Sequence, residues 1–225
     1  MTEDFFSWTI FRSMPLVGIM RHIPILHAEN IFKAFCASGL TTIEITIDSP
    51  GFEESMHLAR SVYKGKLNIG AGTVCTIPDL KKALSAGAQF IVTPVVEATV
   101  IKACKKKNIP VFPGAYTPTE IYTAWKYGAD LVKVFPAIAQ ATEYIRSIKG
   151  PFPKIRLLPT GGVHIDNCVD LLQAGAEGLG IGSGLFNDAV IHNEYYRMEA
   201  HFSAFAQKIR QYLSVSSAAD PEEIG

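Results

Sequence analysis

Eight short apolar segments of β type alternate with amphipathic segments along this chain of 225 residues. The apolar segments lie at residues 16–20, 42–47, 67–70, 90–93, 110–112, 131–135, 155–158 and 178–181. The amphipathic segments lie at 29–37, 51–63, 78–86, 99–107, 118–127, 142–149, 166–174 and 194–213. Eight strands, each followed by a helix, predict a single-domain α/β fold, the closed (β/α)8 TIM barrel. A Rossmann-type open sheet is disfavoured, because no glycine-rich dinucleotide fingerprint follows the first strand.

The two ends of the chain stand outside this alternation. Residues 1–13 contain Phe5, Phe6, Trp8, Ile10 and Phe11, and they predict an extra N-terminal helix that closes the bottom of the barrel. Residues 214–225 contain little material for a core and predict a disordered tail. We therefore expect the barrel domain to span residues 1–213.

Composition excludes several classes of function. The formal net charge is zero, so the chain has no electrostatic footprint for nucleic acid or a membrane surface. The first residues are acidic where a signal peptide is basic, and no apolar stretch approaches the length of a membrane span. Four scattered cysteines predict reduced thiols in the core, and six histidines show no ligand spacing. These features predict a cytoplasmic protein without a metal or cofactor.

Lys133 lies inside the apolar run Leu131–Phe135. Such a run is typical of a parallel strand buried on both faces, where an ammonium loses its hydration. A desolvated lysine gives up its proton more readily, and the free amine can attack a carbonyl to form a Schiff base. The alternative is a buried Lys–Glu pair that only holds neighbouring strands together.

Other polar residues occur at the predicted strand ends, where a barrel of this type carries its active site. Arg21, Thr73, Pro94 and Thr160 follow strands one, three, four and seven. Glu44 lies within strand two among apolar neighbours, where a buried carboxyl group can act as a general acid and base. Its alternative role is that of a charge partner for Lys133.

Glycines follow strands seven and eight, the usual position of the phosphate site in this fold. Gly161, Gly162, Gly182 and Ser183 would let backbone N–H groups approach a phosphate closely. The alternative is that these residues form ordinary tight turns. Glycines at both expected positions favour a phosphorylated ligand.

Several segments together resemble the class I aldolases that act on 2-keto-3-deoxy-6-phosphogluconate (KDPG) or 4-hydroxy-2-oxoglutarate. The resemblance covers roughly residues 14–212, in collinear order. The segments are Ile43-Glu44-Ile45-Thr46, Gly70-Ala71-Gly72-Thr73-Val74, Lys133-Val134-Phe135-Pro136-Ala137, Lys149-Gly150-Pro151-Phe152-Pro153, Leu158-Pro159-Thr160-Gly161-Gly162 and Gly182-Ser183.

The resemblance implies a homotrimeric barrel that cleaves KDPG, a small phosphorylated 2-keto-3-deoxy sugar acid, to pyruvate and glyceraldehyde 3-phosphate without a metal. It implies that Lys133 forms the Schiff base and that Glu44 moves the protons. Thr73 would bind the carboxylate of pyruvate, and Thr160 would contact the hydroxyl-bearing carbon. Pro94 and Phe135 would also contact the substrate, and Gly161, Gly162, Gly182 and Ser183 would hold the phosphate.

One residue departs from the family's pattern. The family's usual arginine, four residues after the glutamate, is Asp48 here, and an aspartate would repel a bound carboxylate. We hypothesise that Arg21 binds the pyruvate carboxylate instead and also pairs with Asp48. An arginine at this position resembles the branch of the family that acts on the galactonate epimer, whereas Thr160 resembles the gluconate branch. We favour the gluconate epimer.

Three alternatives stay open. The galactonate epimer or 4-hydroxy-2-oxoglutarate could be the substrate. A phosphosugar isomerase could use Lys133 and Glu44 as acid and base without a covalent bond. A catalytically silent barrel could bind phosphosugars alone, although Lys133, Glu44 and Thr73 together argue against it.

Overall fold

The computed structural model describes residues 5–138, 140–192 and 194–219, and its centre is a ring of parallel strands. The neighbour order is β7-β6-β5-β4-β3-β2-β1-β8, so the strands follow chain order around the ring. The predicted TIM barrel is confirmed. Its strands are β1 (Leu16–Met20), β2 (Thr42–Thr46), β3 (Asn68–Gly72), β4 (Ile91–Thr93), β5 (Val111–Ala115), β6 (Val132–Val134), β7 (Leu157–Pro159) and β8 (Leu179–Ile181).

The ring closes between β7 and β8 through an isolated parallel bridge that joins Thr160 to Gly180. Gly180 is required there, because a Cβ atom at this position would lie 2.2 Å from Oγ1 of Thr160. The closure therefore depends on a glycine facing a β-branched residue across the last pair of strands.

The helices of the described residues lie between the strands and at both ends of the chain. Two of them, α4 and α6, begin with capping boxes in which the side chains of Thr76 and Asp79, or of Thr117 and Glu120, satisfy free backbone amides. The helices are α1 (Trp8–Ser13), α2 (Ala28–Ser38), α3 (Phe52–Val62), α4 (Ile77–Ser85), α5 (Ala98–Lys106), α6 (Pro118–Lys126), α7 (Ala141–Lys149), α8 (Cys168–Gln173), α9 (Asp188–Ile191) and α10 (Tyr195–Ala219).

Helix α10 corrects the predicted end of the last helix. It continues to Ala219 instead of ending at residue 213, and residues 220–225 lie outside the described residues. The added segment, from Ser214 onward, is short in apolar residues, so the sequence pattern had no periodicity there to indicate a helix. Helix α9 and a 3-10 turn at Ile25–His27 were also not predicted, because each is about one turn long.

The bottom of the barrel is filled by aromatic rings. Phe6, Phe11, Phe90 and Phe112 are buried in one cluster with Leu158, and their ring centroids lie 5.2–6.4 Å apart. Helix α1 supplies Phe11 to this cluster, so the predicted N-terminal helix does close the barrel at this end. Residues 1–4 of that prediction lie outside the described residues.

The structure also bears on the predictions about the cysteines and about membrane spans. Cys104 and Cys168 are buried thiols as expected, but Cys36 and Cys75 are only half-buried, so placing all four in the core was wrong. Cys36 lies near the end of α2, and Cys75 lies in the loop between β3 and α4. Within residues 5–138, 140–192 and 194–219, no helix has the length and apolarity needed to cross a membrane.

Candidate active site

A cavity of about 640 Å³ opens at the C-terminal ends of the strands. It brings together ten of the eleven predicted site residues, and the eleventh, Glu44, is buried on β2 and is not among the residues that line it. The ten are Arg21, Thr73, Pro94, Lys133, Phe135, Thr160, Gly161, Gly162, Gly182 and Ser183. Four further lining residues, Ile19, His22, Val163 and Phe186, were not predicted as site residues.

Lys133 lies in the middle of β6 and is only 6% exposed. It pairs in register with Gly114 of β5 and with Leu158 of β7. Its Nζ atom lies 5.2 Å from the ring centroid of Phe135, which also lines the cavity. The amine is therefore shielded from bulk solvent yet reaches the space that a ligand would occupy.

Glu44 lies on β2 and is 1% exposed. Its Oε1 atom has no hydrogen-bond partner among the residues that the structure describes. Burial raises the pKa of this carboxyl group, against the opposing effects of the Lys133 and Arg21 charges. A carboxyl group whose pKa is raised toward the working pH can both donate and accept protons.

A glycine makes the position of Glu44 possible. Gly72 lies at the end of β3, and a Cβ atom there would lie 1.7 Å from Oε1 of Glu44. The carboxyl group thus fills the space that a side chain at position 72 would take. No ion pair between Glu44 and Lys133 occurs among the described side chains, so a simple structural Lys–Glu pair does not account for both residues.

Arg21 follows β1 and joins two loops of the cavity rim. Its Nη1 atom donates to Oδ2 of Asp48 at 3.0 Å, and its Nη2 atom donates to Oγ1 of Thr73 at 2.8 Å. The predicted pairing of Arg21 with Asp48 is confirmed. Burial alone would raise the pKa of Asp48, but hydrogen bonding by Thr46 and the charge of Arg21 hold it below its usual value. Asp48 is therefore an anion beside the guanidinium.

The loops after β7 and β8 also line the cavity. Gly161 and Gly162 have φ angles of 80° and 83°, which side chains rarely allow. A Cβ atom on Gly162 would also lie 2.6 Å from the carbonyl oxygen of Ala137. The Nδ2 atom of Asn167 donates to the carbonyl oxygen of Gly162 at 2.9 Å and fixes this turn.

The unpredicted lining residues differ in whether the sequence held a signal for them. His22 directly follows Arg21, so a search of the whole loop after β1 would have found it. Ile19, Val163 and Phe186 are ordinary apolar residues, and nothing in the sequence separates them from the core. No group of three or more His, Cys, Asp or Glu side chains suited to a metal ion occurs in the described part of the chain.

Comparison with known proteins gives consistent results. The model of the family described as KDPG and KHG aldolase matches residues 8–200. The 2-dehydro-3-deoxy-6-phosphogalactonate aldolase of Escherichia coli K12 is 34% identical over 174 residues, which are 77% of this chain and 85% of that protein. The 2-dehydro-3-deoxy-phosphogluconate aldolase of Pseudomonas aeruginosa is 34% identical over 163 residues, 72% of each chain. The solved native KDPGal structure has a TM-score of 0.83 and 31% identity, and the match covers 89% of this chain and 97% of that one.

Proposed function

Because this chain belongs to the KDPG and KHG aldolase family, we propose that it is a class I lyase that cleaves KDPG to pyruvate and D-glyceraldehyde 3-phosphate. The observation that carries the proposal is the buried amine of Lys133, 6% exposed, at the cavity, together with the buried carboxyl group of Glu44, whose charge interacts with that of Lys133. An amine and a proton carrier are the two groups that Schiff-base chemistry needs.

The reaction begins when the Lys133 amine attacks the C2 ketone of the substrate and forms a carbinolamine. Glu44, acting through water, gives a proton to the departing hydroxyl group, and an iminium forms. The iminium accepts the electron pair of the C3–C4 bond, while Glu44 takes the proton of the C4 hydroxyl group and the aldehyde leaves. The remaining enamine is protonated at C3, and hydrolysis releases pyruvate and the free amine.

The two ends of the substrate are assigned to the two sides of the cavity. Arg21 and Thr73, which lie 2.8 Å apart between Nη2 and Oγ1, are placed at the C1 carboxylate. Gly161, Gly162, Gly182 and Ser183 are placed at the phosphate, where glycine turns permit a close approach of the backbone. Pro94 and Phe135 also line the cavity.

A coupled assay of pyruvate release tests the proposal. It is run on KDPG, on the galactonate epimer and on 4-hydroxy-2-oxoglutarate, and we expect the largest kcat/KM with KDPG. The two relatives named above share 34% identity with this chain, so overall similarity does not choose between the epimers. The galactonate epimer is the second candidate, because Arg21, and not an arginine on strand two, is the residue proposed to bind the substrate's carboxylate. Release of pyruvate from none of the three substrates would contradict the proposal.

Thr160 is the residue on which the choice of epimer rests. It is 3% exposed, and its hydroxyl group donates to the carbonyl oxygen of Leu158 at 3.1 Å, which leaves its lone pairs to accept from a substrate hydroxyl group. In Thr160→Val we expect kcat/KM for KDPG to fall about tenfold, the value of one hydrogen bond, with a smaller change for the galactonate epimer. Assays of both epimers on both proteins measure this change. An equal loss for the two epimers would show that Thr160 does not discriminate between them.

We also propose that the chain assembles as a homotrimer, as the family resemblance implies. Exposed apolar side chains follow three consecutive strands at the mouth of the barrel, namely Val95, Tyr116, Phe135 and Ile138, which are 42–58% exposed. Contiguous apolar residues of this kind are typical of interfaces between subunits. Sedimentation equilibrium is expected to give three times the chain mass, and the double variant Tyr116→Ser, Ile138→Ser is expected to shift it toward the monomer. A monomer at micromolar concentration in the unmodified protein would contradict this proposal.

A further inference from the structure

His22 lies at the cavity in an unusual backbone conformation. Its φ angle is 53°, in the left-handed region that few residues other than glycine adopt. The conformation is held by a hydrogen bond from its amide to Oγ of Ser49 at 2.9 Å, and Ser49 in turn lies 2.8 Å from Oγ1 of Thr46. Backbone strain of this kind persists where the surroundings fix it, and it is concentrated at functional sites.

The imidazole of His22 and the guanidinium of Arg21 share one acceptor. Oδ2 of Asp48 lies 3.2 Å from Nε2 of His22 and 3.0 Å from Nη1 of Arg21. While Asp48 pairs with Arg21, its negative charge compensates the guanidinium and repels an incoming carboxylate. The Asp48 carboxylate therefore already takes up one of the two guanidinium nitrogens that could bind the substrate's carboxylate.

The charges at the cavity make this competition important. The substrate of the proposed function carries one carboxylate and a phosphate of about −2 charge. Of the cavity-lining residues, Arg21, His22 and Lys133 can carry positive charge, and Lys133 must be neutral to attack the ketone. Asp48 is the charged group in contact with the imidazole, and Arg21 precedes His22 in the chain. Glu44 and Cys75 interact through their charges with Asp48, and Lys133 interacts with Glu44.

We propose that His22 is a positioning residue that, when protonated, takes over Asp48 and releases the Arg21 guanidinium to bind the substrate's carboxylate. The inference rests on the proposed function and adds a proton-linked step to it. Binding of a 2-oxo acid then takes up one proton from solvent onto the imidazole. No covalent bond to His22 forms or breaks.

Pyruvate is the probe, because it carries the carboxylate and ketone but no phosphate to titrate. The protein is titrated with pyruvate, reduced with borohydride and weighed intact, which gives an apparent Kd for the Lys133 adduct. The unmodified protein and His22→Asn are compared at about pH 6 and about pH 8.5, on either side of the range in which histidine changes charge. Asparagine tolerates the left-handed backbone but does not titrate.

We expect His22→Asn to bind pyruvate about tenfold more weakly at the lower pH and equally well at the higher pH. Taking the ratio of the two proteins at each pH removes the pH dependence that they share. The exposed His57 on α3 provides the control variant His57→Asn, which should match the unmodified protein at both values. In an Asp48→Asn background, His22→Asn should have no effect, because no carboxylate at position 48 remains to exchange Arg21 for His22 as its partner.

Three results would overturn the inference. One is a Kd ratio that does not change with pH, which is the result that a merely structural role would give. Another is an unchanged pH dependence in Asp48→Asn alone, a measurement that stands even where His22→Asn fails to fold. The third is the absence of any pyruvate adduct in the unmodified protein, which overturns the proposed function together with this inference.

Discussion

Replacing Lys133 with methionine is expected to abolish aldol cleavage, with a loss in kcat on the order of 10⁴-fold or more. Methionine has a similar volume and suits the buried position on β6, so the barrel should fold, but no amine remains to form the iminium. The coupled pyruvate assay measures the loss. Borohydride reduction in the presence of pyruvate should produce a mass-shifted protein from the unmodified chain and none from Lys133→Met.

The matched control is Lys126→Met, which removes an exposed lysine from the end of α6. It should retain both activity and the adduct. Full turnover in Lys133→Met or Lys133→Arg would contradict the Schiff-base mechanism. Turnover of a phosphosugar by the unmodified protein without any trapped adduct would favour the isomerase, in which Lys133 and Glu44 act as acid and base without covalency.

Replacing Glu44 with glutamine is expected to lower kcat by about 10²- to 10⁴-fold, the range that general acid–base catalysis contributes. Glutamine has the same shape, so it fits the space beside Gly72, but it cannot carry protons at Oε1. The pyruvate adduct should still form, more slowly, because Lys133 remains. Rates of pyruvate release and of adduct formation in the two proteins measure the two effects separately.

The same substitution should increase stability, in a direction set by the raised pKa of Glu44. The unfolded carboxyl group ionises at about pH 4.3, whereas the buried one holds its proton to higher pH. Its contribution to the free energy of unfolding is therefore fully present below the unfolded value and is lost as pH rises through the folded value. Glutamine does not ionise, so the stability advantage of Glu44→Gln should grow as pH rises from about 4 toward 8.

Urea unfolding at several pH values tests this expectation. The exposed Glu53 on α3 provides the control variant Glu53→Gln, which should show little change across the range. A Glu44→Gln protein that loses stability at neutral pH would show that Glu44 is ionised and paired in the folded state. Unchanged kcat would show that another group carries the protons.

Particular residues show why the fold could be predicted so closely from the sequence. The segment 16–20 is a continuous apolar run, and β1 occupies the same five residues. Strand β6 is shorter than the predicted 131–135, since Leu131 and Phe135 flank it, but Lys133 stays at its centre. The spacing of apolar residues and the composition of a segment determine whether it becomes a strand. The alternation of strands with helices determines the order of the strands around the barrel.

The residues of the candidate site that carry unusual chemical groups could be predicted from the sequence. The features that depend only on the shape of the folded chain could not. Lys133 and Glu44 are conspicuous because charged groups are rare in buried strands. The space that Gly72 leaves for Glu44 depends on the register between β2 and β3, in which Thr46 aligns with Gly72, and a sequence does not display register. The sharing of Asp48 between Arg21 and His22 likewise depends on atomic distances across two loops.

Strands β7 and β8 are joined by the bridge between Thr160 and Gly180 and by the amide of Glu177, which donates to the carbonyl oxygen of Leu157 at 3.0 Å, so this junction is a short seam in the ring. The two glycine turns assigned to the phosphate lie on either side of that seam. A phosphorylated substrate held by both turns would connect β7 to β8 across the seam, so its binding would also stabilise the closed barrel against unfolding. Substrate binding and the free energy of unfolding are then linked through the same two turns.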